Sequence, residues 1–189
     1  MKRFSLLSIV MAVACICTAA GNIPATLKAL HPANEKIECG FTEVRVKAKV
    51  NKSETHTGSL VYQAPDDLRM DYTDPAGDYI LITADKMEQC KNGKTQSVKT
   101  KGKDNRYATY RATLLSCIAG DIEKAASLNN ATTECKKEGS KYVCTITAKE
   151  ASGKDIKEIK LEYDVTSGRV LTITLTEGNG NYATYTTHP

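Results

Sequence analysis

Short runs in which apolar and polar residues alternate recur along most of this 189-residue chain. In the segment 58–72, GSLVYQAPDDLRMDY, apolar side chains occupy every second position of two runs that are joined at Pro65 and a pair of aspartates. A period of two is typical of β-strands that bury one face, and turn residues between such runs favour antiparallel pairing. The pattern therefore predicts a long antiparallel sheet with one apolar face.

The alternation continues on both sides of this segment. From residue 43 to 50 small apolar residues alternate with charged ones, which predicts a half-buried strand whose charged face, with Glu43 and Arg45, points to solvent. Between residues 106 and 120 the apolar residues recur at helical spacing instead, and the segment 121–127 predicts a second short helix. The sequence thus predicts the α+β class, with its helices in the N-terminal part and the middle of the chain.

The first twenty residues have the composition of a secretory signal peptide. Lys2 and Arg3 precede an apolar run that ends in small residues and is too short for a membrane span. We expect residues 1–20 to be removed and residues 21–189 to form a single exported domain. The alternative is that Cys15, which lies in a stretch similar to a bacterial lipobox, is lipidated and anchors the protein to a membrane.

Charge gives little indication of a partner. Removal of Lys2 and Arg3 lowers the formal net charge from +4 to +2, which does not favour nucleic-acid binding. The stretch from Lys91 to Arg106 is basic and predicts a solvated hairpin and loop. A secondary hypothesis makes it a dock for anionic head groups or an acidic partner.

Five cysteines follow the signal peptide, in a compartment that permits disulfides. Gly139 and Ser140 suit a two-residue hairpin turn, and counting outward from this turn places Cys135 opposite Cys144. We predict a disulfide between these two cysteines. The sequence leaves open how the remaining cysteines pair: Cys39, Cys90 and Cys117.

The residues typical of enzymes do not form recognisable motifs in the sequence. The three histidines have no Cys, His or acidic residue at metal-ligand spacing, and neither a complete P-loop nor a Gly-x-Ser-x-Gly motif occurs. The adjacent Asp66 and Asp67 are explained by a turn. We therefore predict a protein that is not an enzyme and that needs no metal or cofactor.

The order of several motifs resembles that of the periplasmic outer-membrane lipoprotein carrier family (LolA-like). Residues 58–75, GSLVYQAPDDLRMDYTDP, are similar to the family pattern G-x-L-x-Y-x-x-P-x-x-L-R-W-x-Y-x-x-P. The segments 39–48, 79–85 and 113–122 resemble the family's early strand, the strand after the second proline and the central helix, and residues 157–187 resemble its closing strands. The likeness covers most of residues 38–187, in the same order.

This resemblance implies an unclosed antiparallel β half-barrel whose concave face is covered by helices, which leaves an apolar cavity for the acyl chains of a lipoprotein. The implied function is that of a monomeric periplasmic carrier between the inner and outer membranes. Its implied partners are acylated lipoproteins or lipid, an inner-membrane lipoprotein-releasing transporter and an outer-membrane acceptor. The residues implied to line the cavity are Leu60, Tyr62, Leu68, Met70, Tyr72, Leu114, Ile118, Ile159, Leu161, Tyr163, Leu171 and Ile173.

The chain departs from the family pattern at two positions. Met70 stands where the family often has tryptophan, and a flexible methionine suits adaptable apolar contacts. Ala64 stands before Pro65, where many members have an arginine that fastens the helical lid. The sequence therefore leaves open how a lid is held.

Two other functions stay open on the sequence. Related half-barrels serve as envelope sensors or as anchored lipoprotein acceptors, and lipidation of Cys15 would favour the acceptor. Alternatively, the chain is a partner-binding module whose apolar face is fully packed. A cavity too small for an acyl chain would indicate this module.

Overall fold

The structure, a computed structural model, describes residues 22–102 and 106–189. The predictions for the signal peptide, Cys15 and the segment 103–105 lie outside these residues. Within them, the helices are α1 (Ile23–Leu30), α2 (Arg106–Ile118) and α3 (Ile122–Leu128). The strands are β1 (Lys36–Lys47), β2 (Lys52–Gln63), β3 (Asp67–Asp74), β4 (Ala76–Ile82), β5 (Lys86–Lys91), β6 (Lys94–Lys99), β7 (Ala131–Glu138), β8 (Lys141–Ala148), β9 (Ile156–Asp164), β10 (Val170–Glu177) and β11 (Tyr182–His188).

All these strands form one 11-stranded antiparallel sheet, in the spatial order β6-β5-β4-β3-β2-β1-β11-β10-β9-β8-β7. The first six strands build outward from β1, and the last five build inward until β11 pairs with β1. The edge strands β6 and β7 do not pair with each other, so the sheet is unclosed. Helices α2 and α3 lie in the connection between these two edges.

The sheet curves around its buried face. Val98 of β6 and Ile173 of β10 line the same cavity although seven interstrand steps separate their strands, a distance of about 34 Å in a flat sheet. Helix α2 packs on this concave face, where the hydroxyl of the fully buried Tyr163 donates a 2.6 Å hydrogen bond to the carbonyl of Cys117. The predicted α+β half-barrel with helices over its concave face is therefore confirmed.

The hairpin of β7 and β8 has the predicted register. Glu138 pairs with Lys141 across the turn, and Cys135 lies opposite Cys144 with their Cα atoms 4.2 Å apart. The predicted disulfide joins these two cysteines. The other described cysteines are free thiols: Cys39, Cys90 and Cys117.

The predicted orientation of β1 is wrong. Ile37 and Phe41 are buried on the concave face, and because side chains alternate along a strand, Glu43 follows them inward and is 0% exposed. Val44 and Val46 point to the other face, and the strand ends at Lys47 before a 3₁₀ turn. Burial of Ile37 and Phe41 at the start of the strand therefore determines which face points inward, although the apolar Val44 and Val46 near its end favour the opposite orientation.

Gly58 on β2 makes room for a buried ring of β1. A Cβ atom at Gly58 would lie 2.7 Å from the ring of Phe41 and would overlap the carbonyl oxygen of Asp71. The Phe41 ring meets the Tyr72 ring edge to face, with centroids 5.2 Å apart. Gly58, the first residue of the 58–75 motif, is therefore required for the packing of Phe41 against β2.

Helix α1 packs against the corner between α2 and α3. Leu27 is fully buried, and the ring of His31 contacts both the Glu35 carboxylate at 2.6 Å and the carbonyl oxygen of Gly168 at 3.0 Å. Among the described residues, no helix has the length and apolar character needed to cross a membrane.

Candidate functional site

A cavity of about 630 Å³ lies between the concave face of the sheet and helix α2. This volume falls within the range of about 300 to 1,000 Å³ that is usual for small-molecule sites. The β1 residues on its wall run from Ile37 to Arg45, and the eight residue steps between these two span about 26 Å. The cavity is therefore elongated along β1.

Two rows of side chains cross the strands beneath this cavity. Tyr62, Leu68 and Ile82 form one row across β2, β3 and β4, and each is at most 1% exposed. In the next row Leu60 pairs with Met70, which pairs with Ile80, and Leu60 and Ile80 are only partly buried. The second row therefore forms apolar wall, whereas the first is largely packed core.

The structure divides the predicted lining residues into two groups. One group lies at the cavity wall: Leu60, Leu68, Met70, Leu114, Ile118, Leu171 and Ile173. The other group is buried in the core around the cavity and is not part of its wall: Tyr62, Tyr72, Ile159, Leu161 and Tyr163. Further apolar wall comes from residues that the prediction did not name: Ile37, Phe41, Ile80, Met87, Val98, Ile156 and Val170.

A polar cluster lies at the Arg45 end of the cavity. The buried Glu43 carboxylate accepts a 2.6 Å hydrogen bond from Nε of Arg45 and a 2.8 Å hydrogen bond from the hydroxyl of Tyr72. Tyr185 on β11 lies opposite Glu43 in the β1–β11 pairing. The donors from Arg45 and Tyr72 compensate the desolvation of a carboxylate that has no access to solvent.

The pKa values of Arg45 and of three tyrosines around Glu43 are raised. Burial, followed by the charge of Glu43, raises the pKa of Tyr72, and burial is also the main cause of the raised pKa of Tyr185. Burial and then Glu43 raise the pKa of Tyr110 on α2 to about 12. Burial lowers the pKa of Arg45, but its hydrogen bond and charge interaction with Glu43 raise it by more. At neutral pH the tyrosines are therefore hydroxyl donors and Arg45 is a cation.

Sequence reasoning missed this cluster because it placed Glu43 and Arg45 on the outer face. A signal was present, since both residues are in phase with Ile37 and Phe41 at the start of the same strand. Tyr72 was predicted as an apolar lining residue, yet its hydroxyl binds Glu43.

Helix α2 is fastened to the loops at one end of the sheet by Arg111. Its Nε donates a 2.7 Å hydrogen bond to the carbonyl of Thr83, and its terminal nitrogen lies 2.6 Å from the carboxylate of Asp66. Ala64, two residues before Asp66, stands where the resembled family often has a lid-fastening arginine. In this chain the arginine that fastens the helix, Arg111, lies on α2 itself, and the loop contributes the carboxylate of Asp66.

Within residues 22–102 and 106–189, no three His, Cys, Asp or Glu side chains gather in a group that could hold a metal ion.

No protein-family model matches the chain, and no curated protein matches it significantly. Solved structures similar to it include a LolA superfamily protein from Nitrosomonas europaea, with 7% identity, a TM-score of 0.41, and 88% of this chain and 90% of that chain covered. Another is a putative outer membrane lipoprotein-sorting protein domain from Vibrio parahaemolyticus, with 11% identity, a TM-score of 0.43, and 88% and 89% covered. A third is the MucA/MucB complex of Pseudomonas aeruginosa, with 14% identity, a TM-score of 0.40, and 86% and 53% covered.

These structures include members of the superfamily that the sequence motifs resemble.

Proposed function

We propose that the protein is a periplasmic carrier that binds the acyl chains of lipoproteins in the cavity over its concave face and ferries them from the inner to the outer membrane. The observation that carries this proposal is the elongated cavity of about 630 Å³ with a mainly apolar wall. A fully packed face, as in a purely structural module, would leave no such space.

Acyl transfer of this kind needs no catalytic group. Burial of a chain in an apolar site stabilises the complex by about 0.8 kcal/mol per CH₂ group. Release then requires a second site or a membrane that offers the chain a comparable environment. The partners that we propose are acylated lipoproteins, an inner-membrane transporter that releases them and an outer-membrane acceptor.

The wall of the cavity is suited to chains that differ in shape. Met70 and Met87 both contribute to it, and unbranched methionine side chains repack around irregular apolar surfaces at little cost. Helix α2 forms the opposite wall through Leu114 and Ile118 and is held at one end by the Arg111 contacts. A chain could enter by displacement of this helix.

Native mass spectrometry of the protein, purified gently from its own periplasm, tests the proposal. An unmodified N-terminus after signal-peptide removal together with a displaceable acylated lipoprotein or lipid is the expected result. A lipidated Cys15 would instead indicate an anchored acceptor. An empty protein that also fails to take up added lipoprotein would contradict the carrier and favour a partner-binding module.

A further inference from the structure

Arg45 lies between two cavities at the polar end of the site. It lines both the acyl cavity of about 630 Å³ and a second cavity of about 320 Å³, whose wall includes Glu54, His56 and Tyr72. Only 26% of its side chain is exposed. Its guanidinium is therefore held inside the protein rather than in bulk solvent.

The guanidinium of Arg45 carries more N–H donors than the described residues satisfy. Arginine carries five N–H donors and no acceptor. Within the described residues, Nε donates to Glu43 and one terminal nitrogen donates to the Tyr72 hydroxyl at 3.2 Å. Arg45 lines both cavities, where a ligand atom that accepts hydrogen bonds would satisfy its remaining N–H groups.

The charges around Arg45 favour a particular kind of acceptor. Glu43 already compensates the cation, so the site does not require a second negative charge. Two further carboxylates lie nearby, Glu54 opposite Arg45 on the wall of the smaller cavity and Glu177 on the wall of the acyl cavity, whereas Tyr110 and Tyr185 contribute neutral hydroxyls. A carbonyl oxygen fits this setting, because it accepts hydrogen bonds and carries at most a partial charge.

We infer that the Arg45 end of the cavity is a subsite for the carbonyl oxygen at the head of an acyl ligand. Glu43 and Tyr72 hold the guanidinium in place, and the apolar wall from Leu60 to Ile37 receives the hydrocarbon tail. The oxygen is that of the ester or amide of an acylated lipid, and the carboxylate of a free fatty acid is the charged alternative that the experiment separates from it. This inference rests on the proposed function and names the part of the ligand that the cavity recognises.

Arg169 is one of the other cationic residues on the wall of the acyl cavity, with Arg106 and Lys154, and it competes with Arg45 for this role. It also lines the acyl cavity, at the end opposite to Arg45, but its side chain is exposed. Hydrogen bonds to an exposed, mobile arginine replace bonds to water and add little affinity. Arg169 is therefore a matched control for Arg45.

The test measures how lauric acid, methyl laurate and dodecane displace the fluorescent probe N-phenyl-1-naphthylamine from the wild type, Arg45→Met and Arg169→Met. Loss of a hydrogen bond to a charged donor corresponds to about a tenfold or larger loss of affinity. We expect Arg45→Met to weaken at least one of the two oxygen-bearing ligands by this factor and to leave dodecane unchanged. The ligand that loses more identifies the carboxylate or the ester as the recognised group.

A second variant protects the test against misfolding, since Arg45→Met leaves Glu43 buried without its cation. The double variant Glu43→Gln/Arg45→Met removes both charges and is expected to give the same ligand pattern. Equal weakening of all three ligands in both variants would show a purely structural role for Arg45 and overturn the subsite. A selective loss in Arg169→Met alone would place the head group at the other end, with the same consequence.

The failure of the proposed function looks different. If none of the three ligands displaces the probe from the wild type, the cavity does not bind acyl chains. Both the carrier function and the Arg45 subsite are then refuted. If all three displace it and no variant discriminates among them, acyl binding stands and the subsite alone is refuted.

Discussion

The hydroxyl of Tyr72 on β3 donates a hydrogen bond of 2.8 Å to Oε2 of Glu43 on β1, two strands away in the sheet. Tyr72 is 7% exposed and Glu43 is 0% exposed. A carboxylate in such a position is tolerated only when hydrogen bonds and an opposite charge compensate its lost hydration, and here Arg45 supplies both a second hydrogen bond and the charge. The concave face therefore combines an apolar wall with a polar cluster in which the buried carboxylate is hydrogen-bonded and charge-paired.

Replacement of Tyr72 by Phe removes one donor from the buried Glu43 carboxylate. We expect the free energy of unfolding to fall by about 1.5 to 3 kcal/mol, the usual cost of losing a hydrogen bond to a charged group. Urea denaturation followed by circular dichroism measures this change. Tyr62→Phe is the control, because the ring of Tyr62 is buried as well and its hydroxyl makes no hydrogen bond to another described residue. Equal losses in the two variants would contradict the role of the Tyr72 hydroxyl.

The raised tyrosine pKa values predict that the protein loses stability at alkaline pH. Burial raises the pKa of Tyr110 to about 12, above its ordinary value of 10. The neutral hydroxyl therefore contributes stability that is fully present below pH 10 and is lost as the pH rises toward 12. Between these values one tyrosine lowers the free energy of unfolding by about 1.4 kcal/mol per pH unit.

Thermal or urea unfolding between pH 8 and pH 12 measures this slope. In the variant Tyr110→Phe we expect a slope that is shallower by one proton's contribution, with the slope below pH 9 unchanged. A variant with the same alkaline slope as the wild type would show that Tyr110 ionises as easily in the folded state as in the unfolded chain.

The β7–β8 hairpin shows where sequence reasoning succeeds. A two-residue turn at Gly139 and Ser140 sets the register locally, so the pairing of Cys135 with Cys144 follows from counting. The phase of β1 shows where it fails. Both faces of that strand carry plausible residues after Phe41, and Tyr72, the hydrogen-bond partner that favours an inward Glu43, is distant in the sequence.

The cavity itself was not accessible to periodicity. Alternation correctly puts Leu60 and Tyr62 on the same face of β2, yet one lines the cavity and the other is packed in the core. Whether a buried face is filled depends on the volumes of side chains from α2 and the distant strands. The prediction of cavity residues in this chain therefore came from resemblance rather than from pattern.

Adjacent positions on β2 test which face binds apolar ligands. Leu60 lines the cavity, whereas Val61 lies on the opposite face and is 37% exposed. Leu60→Asp places a charge in the apolar wall, and we expect the affinity for N-phenyl-1-naphthylamine to fall by at least about tenfold. Val61→Asp is the control and should bind like the wild type. Fluorescence titration of both folded variants decides, and similar affinities would refute the cavity as the binding site.

Cys39 provides a label inside the cavity. It is a partly exposed free thiol on the cavity wall, and burial raises its pKa, with partial opposition from the charge of Arg169. Cys117 is fully buried, and burial raises its pKa to about 12, so it should react far more slowly. Iodoacetamide labelling at pH 8 with peptide mass mapping is therefore expected to modify Cys39 before Cys117.

Bound ligand should protect this thiol. We expect lauric acid to slow the labelling of Cys39 and to leave that of Cys90 unchanged, because Cys90 borders only the smaller cavity. Protection of both cysteines to the same degree would indicate a general stiffening of the fold. Absence of any protection at saturating ligand would show that the chain does not occupy the Cys39 region.

The contact between Arg111 and Asp66 predicts how tightly the helical wall of the cavity is held. Arg111 is 13% exposed and joins α2 to two loops through Asp66 and the carbonyl of Thr83, so its removal should let the helix move away more easily. A coupling of about 1 kcal/mol would speed ligand release about fivefold. Stopped-flow release of N-phenyl-1-naphthylamine from Arg111→Met measures this rate.

Asp66→Asn is the control for the ion pair. It should speed release less than Arg111→Met does, because the contact between Arg111 and Thr83 remains. The double variant should release the probe as fast as Arg111→Met, since the contact between Arg111 and Asp66 is already lost in that variant. Additive effects of the two substitutions would mean that Asp66 does not act through Arg111, and an unchanged release rate would mean that ligands leave by a route that does not require movement of α2.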